Sequence, residues 1–289
     1  MGMLAGKTAV ITGSTRGLGL AIARAFAAEG AAVVISSRSA EAVAQTVASF
    51  RASGYQAEGL AADVSKLEDV QALADLCLMS FNRMDIWVNN AGTTGPYGPT
   101  IQFEPRVFES VVQTNILGTY YGSLTALHHF RQQGSGKLIN MLGMGYNKPA
   151  PWQNAYGSSK TWIRNFTRAL AEENRDMPGV GVYALNPGMV LTDLLTRNDV
   201  IAGSEDRLKN FPTIVRMWAK PGEIPAREAL RLASAATDGR TGLEGNVFTG
   251  GVLLLGAIRE GWLRLIGRKP DDGIVEMRVV PAWQPDKSK

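Results

Sequence analysis

Two side chains able to move a proton stand four residues apart, Tyr156 and Lys160. On a helix that spacing places both on one face, one turn apart. A free phenol titrates near about 10 and is a poor acid or base at neutral pH. An ammonium beside it stabilises phenolate and draws that titration towards neutrality. A shift of ~3 units corresponds to roughly 4 kcal/mol of differential interaction. Such a phenol can give a proton to a carbonyl oxygen as hydride reaches the carbon, or take it back in reverse.

A hydride carrier has a candidate seat at the other end of the chain. Thr12, Gly13, Ser14, Thr15, Arg16, Gly17, Leu18 and Gly19 form a glycine-rich turn between an apolar run and a helical pattern. Glycine tolerates positive φ and leaves no Cβ between backbone and ligand. Unpaired N–H groups at a helix start attract a pyrophosphate. A dinucleotide specific for NAD usually meets a carboxylate at the end of the second strand. Here the residues are Ser36, Ser37, Arg38 and Ser39. Arg38 offers a donor fork suited to a 2′-phosphate, and Arg16 is a second cation in reach. The expected cofactor is NADP(H).

Alternating elements must hold these residues. Segments 7–12, 32–36, 57–62, 86–89, 137–142 and 180–185 read as strands, and 19–29, 40–52, 70–81, 105–131 and 155–173 as helices. Strands this apolar imply a parallel sheet covered on both faces. The expected fold is α/β, a doubly wound parallel sheet of Rossmann type in three α/β/α layers. It forms a single domain over 1–251, with a C-terminal helix and extended tail over 252–289.

Within that frame the motifs resemble those of the short-chain dehydrogenases/reductases. The Thr12–Gly19 turn, Asn90-Ala91-Gly92 after the fourth strand, Tyr156-x-x-x-Lys160 and the loop Pro187-Gly188-Met189-Val190-Leu191-Thr192 stand in the family's order. The resemblance implies that Asp63 and Val64 contact adenine, and that Asn90, Ala91, Gly92, Pro187, Gly188, Val190 and Thr192 line the cofactor. It implies that Tyr156 is the acid/base and that Lys160 lowers its pKa and holds the nicotinamide ribose. Asn115 would anchor a water that relays protons from Lys160.

The family's catalytic serine is missing. Its position, thirteen residues before the tyrosine, is Gly143, and 139–146 contains neither Ser nor Thr. Losing one such donor costs about 10²–10³ in rate. A backbone N–H at Gly143 or Met144 can replace it, a substrate group or Tyr146 can supply the bond, or turnover is weak. Segments 140–145, 156–160 and 186–195 resemble the chlorophyll b reductase branch, which reduces a formyl pigment with NADPH and also carries Gly at this position. The expected function is NADPH-dependent reduction of a bulky apolar carbonyl. The alternative is a catalytically weak NADP(H)-binding sensor or scaffold.

Substrate in such folds sits beyond the carboxyl ends of the strands. Gly143, Tyr146, Trp152 and Met189 are the candidates there, under a mobile lid over about 193–221. Segment 252–266 is apolar at Leu254, Leu255, Ile258, Trp262, Leu263 and Ile266 but carries Arg259, Glu260 and Arg264. It is too short and charged to span a bilayer. Core packing or a subunit interface is one reading, and an amphipathic helix on a membrane is the other. A net charge of +4 gives no case for nucleic acid, and one cysteine with two histidines gives none for a metal site. With no targeting pattern over 1–6, the expected location is the cytoplasm. The expected assembly is a homo-oligomer.

Overall fold

The structure is a computed structural model describing residues 2–248, 250–267 and 275–285. Met1, Thr249, the tail positions 268–274 and 286–289, and the side chains of Val252, Leu253 and Arg264 lie outside the described residues.

Seven parallel strands form the central sheet: β1 (Thr8–Ile11), β2 (Ala32–Ser37), β3 (Ala57–Ala61), β4 (Ile86–Asn89), β5 (Gly136–Met141), β6 (Val180–Asn186) and β8 (Glu244–Asn246), in the order β3-β2-β1-β4-β5-β6-β8. Alternate strand residues feed opposite layers. Ile11, Ile35, Val88 and Ile139 pack on α1 (Gly17–Ala28), α2 (Ala40–Ala52) and α9 (Glu223–Ala233) through Ile22, Phe26, Phe50 and Leu232. Val10, Val34, Trp87 and Val182 face α3 (Leu67–Phe81) and the helices beyond it through Leu73, Leu127 and Phe130. Fully burying one such Ile or Phe contributes about 1.5–3 kcal/mol. The chain reverses winding between β1 and β4, which opens a crevice at their carboxyl ends.

The expected single helix over 105–131 is instead three segments. α4 (Pro105–Val111) runs into a π-helical turn, Val112–Leu117, and then α5 (Gly118–Gln133). α6 (Asn154–Glu173) follows, one residue longer at its start than expected. α9 has no counterpart in the sequence reading, although its buried Ala226, Ala229 and Leu232 follow helical spacing.

The segment expected as a lid is structured. It contains α7 (Asp193–Thr196), β7 (Arg197–Ile201) and α8 (Phe211–Trp218). Its partner strand, β9 (Glu276–Val280), comes from the C-terminus and pairs with β7 in parallel. This corrects the expected division at 251/252, because the tail is a strand of the lid's own small sheet. Tyr97 joins that sheet, with its N–H on the Asp199 carbonyl and its own carbonyl accepting from Ile201. α10 (Gly250–Leu265) packs on α8 but leaves Leu254, Leu255, Ile258, Trp262 and Ile266 exposed, which excludes core packing for these five. Among the described residues no helix is long and apolar enough to cross a membrane.

Candidate active site

The glycine turn is bonded to β4 before it can meet any ligand. The Thr12 hydroxyl accepts from the Asn90 and Ala91 N–H groups, at 3.0 and 3.1 Å. Asn90 Nδ2 donates to the carbonyls of Thr12 and Gly13. Gly13 and Gly17 have φ of +64° and +56°, the left-handed region that favours glycine. A Cβ on Gly19 would overlap the Gly13 carbonyl, so the helix start can close on the turn only with glycine there. No side chain caps α1, so its first-turn N–H groups stay available to an anion.

Ser14 requires a correction. It is fully buried, its N–H donates to the Ser36 carbonyl, and its hydroxyl bridges Ile11 O and Ser36 N. It ties β1 to β2 and has no donor left for a cofactor. Arg16 reaches across the crevice mouth to Asp193 at 2.9 Å. Arg38 is exposed at the end of β2. Burial opposes the Asp63 carboxylate, but two hydrogen bonds from Ser65 and the nearby Arg38 and Lys66 charges outweigh it and hold its pKa below the ordinary value. Val64 is buried with its side chain against Gly118, while Ser37 stays half-buried beside Arg38. At the far side of the mouth Thr192 packs on Gly17, and Pro187 and Gly188 lead into Val190, which bridges to Lys220.

The proton-handling residues meet at the ends of β4 and β5. Lys160 is buried, and its Nζ donates to the Met141 carbonyl at 3.0 Å and lies 5.5 Å from the Tyr156 ring centre. A Cβ on Gly92 would lie 3.9 Å from that Nζ. A Cβ on Gly143 would overlap the Tyr156 hydroxyl. The phenol thus occupies the volume in which a serine side chain would begin. Tyr156 as a residue is half-buried, with its hydroxyl end enclosed.

The electrostatics differ from the sequence expectation. Burial pushes the Tyr156 phenol up to about 12 and the Lys160 ammonium down to about 8. Both groups are driven towards their neutral forms because desolvation penalises each charge. The ammonium directs a hydrogen bond to Met141 rather than to the phenol, and the expected lowering of Tyr156 is not seen.

Asn115 sits fully buried in the π-helical turn. Its Oδ1 accepts from Thr93 N, and its Nδ2 donates to Thr93 O and Ser159 Oγ, all at 2.9–3.0 Å. Ser159 Oγ in turn donates to the Tyr156 carbonyl at 2.7 Å. Both Nδ2 hydrogens are committed, leaving the side chain no donor for a relay water. Through these bonds Asn115 fastens the loop after β4 to the turn carrying Tyr156.

Residues 7–200 match the family model described as short chain dehydrogenase. The chain belongs to this family. A rice protein (Oryza sativa subsp. japonica), described as a probable chloroplastic chlorophyll(ide) b reductase, is 37% identical over 228 residues. That match covers 72% of this chain and 44% of the rice protein, so the chain spans under half the length of this relative. Among solved structures, a 3-ketoacyl-(acyl-carrier-protein) reductase from Brucella melitensis, complexed with NADH, superposes with a TM-score of 0.75 at 30% identity, over 86% of this chain and 98% of that one. A gluconate 5-dehydrogenase from Burkholderia cenocepacia, in complex with NADP and tartrate, gives 0.75 at 29% identity, over 86% and 96%.

Within this short-chain dehydrogenase, two of the four substrate candidates face elsewhere. Tyr146 lies under Arg164, 5.2 Å from the guanidinium, and Trp152 lies under Arg207 at 3.9 Å. Both line a cavity of about 1360 Å³ along α6 whose wall includes neither Tyr156, Lys160 nor Gly143. Gly143 is at the phenol, and Met189 is half-buried in the loop before Thr192.

A buried amide chain behind the site escaped the sequence reading. Asn89 and Asn140 are register partners on β4 and β5. Asn89 Oδ1 accepts from Trp87 Nε1, and its Nδ2 donates to Asn140 Oδ1 at 2.9 Å. Asn140 Nδ2 donates to Thr167 on α6 at 3.0 Å. The available signal was an Asn at the end of one apolar strand and next to the end of another, where only a paired amide tolerates burial.

Proposed function

We propose that this chain is an NADPH-dependent carbonyl reductase, or the corresponding alcohol dehydrogenase, acting on a bulky apolar substrate. The observation that carries the reading is the Tyr156 hydroxyl, enclosed against Gly143 beside Lys160 and one strand from an uncapped helix start. The turn fits a dinucleotide: left-handed Gly13 and Gly17 and the free first-turn N–H groups suit a pyrophosphate. Thr15, Arg16, Gly17, Leu18, Gly19, Asn90, Ala91, Gly92, Gly188 and Thr192 would hold the cofactor, with Lys160 at its ribose. The bound cofactor supplies or accepts the hydride.

Tyr156 donates its proton to the substrate oxygen during reduction. Burial keeps the phenol protonated but makes it a weaker acid, and the nearby Lys160 ammonium offsets this by stabilising the phenolate that remains. Lys160 carries that charge below about pH 8, so reduction falls as pH rises through that value. Asn115 and Ser159 are positioning residues that hold the tyrosine's turn. Gly143 makes room for the phenol.

NADP(H) preference is supported by Arg38 ending β2 where a carboxylate would repel a 2′-phosphate. A bulky apolar carbonyl is supported by the rice relative's description and by the partly or fully exposed apolar side chains of Met189 in the loop and Leu194 and Met217 in the lid. The aromatic face of exposed Tyr120 and half-buried Trp162 and Phe166 on α5 and α6 supports assembly with a second copy.

The test is oxidation of NADPH and of NADH against a panel of bulky aldehydes, formyl pigments included. Turnover with NADPH is expected, and Arg38→Ala should erode the NADPH-over-NADH ratio about 10-fold or more, the worth of one charge-assisted contact. Tighter binding of NADH by the parent protein refutes the cofactor assignment. Binding of NADPH with no turnover across the panel favours the sensor reading.

A further inference from the structure

The last helix presents two opposed sides. Toward the protein, Gly256 rests on Trp218 and the Met217 carbonyl, and buried Glu260 receives a hydrogen bond from Arg216 Nε at 2.9 Å. On the other side Leu254, Leu255, Ile258, Trp262, Leu265 and Ile266 are 63, 69, 60, 60, 85 and 49% exposed. At about 100° per residue these six fall within an arc of roughly 120°. They form one stripe facing away from the fold.

The exposed charge of the described helix is basic. Glu260 is the only acid over 250–269, and its pairing with Arg216 removes it from the surface. The same stretch carries Arg259, Arg264, Arg268 and Lys269, and Arg259 is exposed at the edge of the stripe. A tryptophan among aliphatic residues suits the boundary between headgroups and acyl chains.

Size separates the occupants. The 16-residue helix is about 24 Å long, short of the roughly 30 Å hydrocarbon core of a bilayer. A stripe about 24 Å by about 10 Å offers roughly 250 Å², against the ~800 Å² per partner of a stable protein interface. An amphipathic helix lying in a membrane surface needs no more than this. We propose that the apolar stripe of α10, with its basic flank, docks the protein onto an anionic lipid surface, the helix lying in the interface plane.

The docking would bring the lid to the bilayer. α10 packs on α8, and Lys220, two residues after α8, pairs with the Met189–Leu191 loop that leads to Thr192 and Gly17. A lipophilic substrate could then reach the crevice from the membrane. The docking itself does not rest on the reductase reading, since it is measured without turnover.

The experiment is flotation of the full chain with vesicles of phosphatidylcholine plus phosphatidylglycerol, and with phosphatidylcholine alone. Most of the protein should float with the anionic vesicles, and several-fold less with the neutral ones or when salt is raised from about 0.05 to about 0.5 M. Ile258→Glu/Trp262→Glu should reduce flotation about tenfold or more with an unchanged melting temperature, because both side chains point away from the fold. Trp262→Ala, a milder change, should give an intermediate loss. Absence of flotation, or equal flotation of the double variant, overturns the proposal. So does a parent dimer that the double variant converts to monomer with no vesicle binding, which would make the stripe a self-association face.

Discussion

Whereas the β1–α1 end of the crevice is lined by backbone, the β5–α6 end is lined by buried side chains. At the first end, glycines let N–H groups and carbonyls approach each other, and the side chains of Thr12 and Asn90 brace that backbone. At the second, a phenol, an ammonium and two amides share a volume that water barely enters. The first site depends on shape and is governed by where a Cβ fits. The second depends on charge and is governed by desolvation, so small changes in packing alter its chemistry.

Gly143→Ser probes the seam between the two kinds of construction. A serine supplies the donor that relatives use, and by motif alone it should raise the rate. Here its Cβ would overlap the Tyr156 hydroxyl, so the phenol must move. Carbonyl reduction is expected to fall about 10²–10³-fold, the scale of losing one well-aimed donor, with cofactor affinity unchanged. A faster enzyme would show that the phenol has room to yield and that the glycine is a simple deletion.

Lys160 offers a test of the desolvation argument that needs no substrate. Its folded value, about 8, lies below the ordinary 10.5. Between those values the unfolded chain binds a proton that the folded chain has released, so stability rises with pH across the window. The gain is of order 3 kcal/mol if fully expressed. Tyr156 opposes it only above pH 10, where the folded phenol keeps a proton that the unfolded one loses. Denaturant unfolding of the parent and of Lys160→Met from about pH 8 to about pH 10 should show the parent gaining on the variant. Parallel curves would mean that the ammonium is not desolvated.

A smaller effect is expected behind the site. Asn140→Ala removes two buried hydrogen bonds, one accepted from Asn89 and one donated to Thr167, leaving Asn89 Nδ2 to Thr119 O and Ser123 Oγ and the Thr167 hydroxyl to Ile163 O. A loss of about 1–3 kcal/mol in denaturant unfolding is expected, with the glycine-turn end unaffected in cofactor titration. Equal weakening of cofactor binding would show that the two ends are not independent.

The same contrast explains what could be read from the residues alone. The sheet strands and the glycine turn were legible because apolar runs and glycines report backbone demands directly. Tyr156 and Lys160 were legible by spacing. Their titration was not, since the Met141 carbonyl that takes the ammonium lies nineteen residues from Lys160. Ser14 read as a cofactor residue because its place in the turn gives no hint that its hydroxyl is consumed between β1 and β2. The lid's small sheet was hidden because β7 and β9 are 79 residues apart at the paired Asp199 and Arg278 and carry charges that break a strand pattern.

The most direct measurement is reduction of a bulky aldehyde by Tyr156→Phe, with NADPH affinity determined in parallel. That change removes one hydroxyl and keeps the ring against Lys160. The expected result is a rate lower by at least about 10³ with cofactor affinity within a few-fold of the parent. An undiminished rate would contradict the assignment of the Tyr156 hydroxyl as the proton donor.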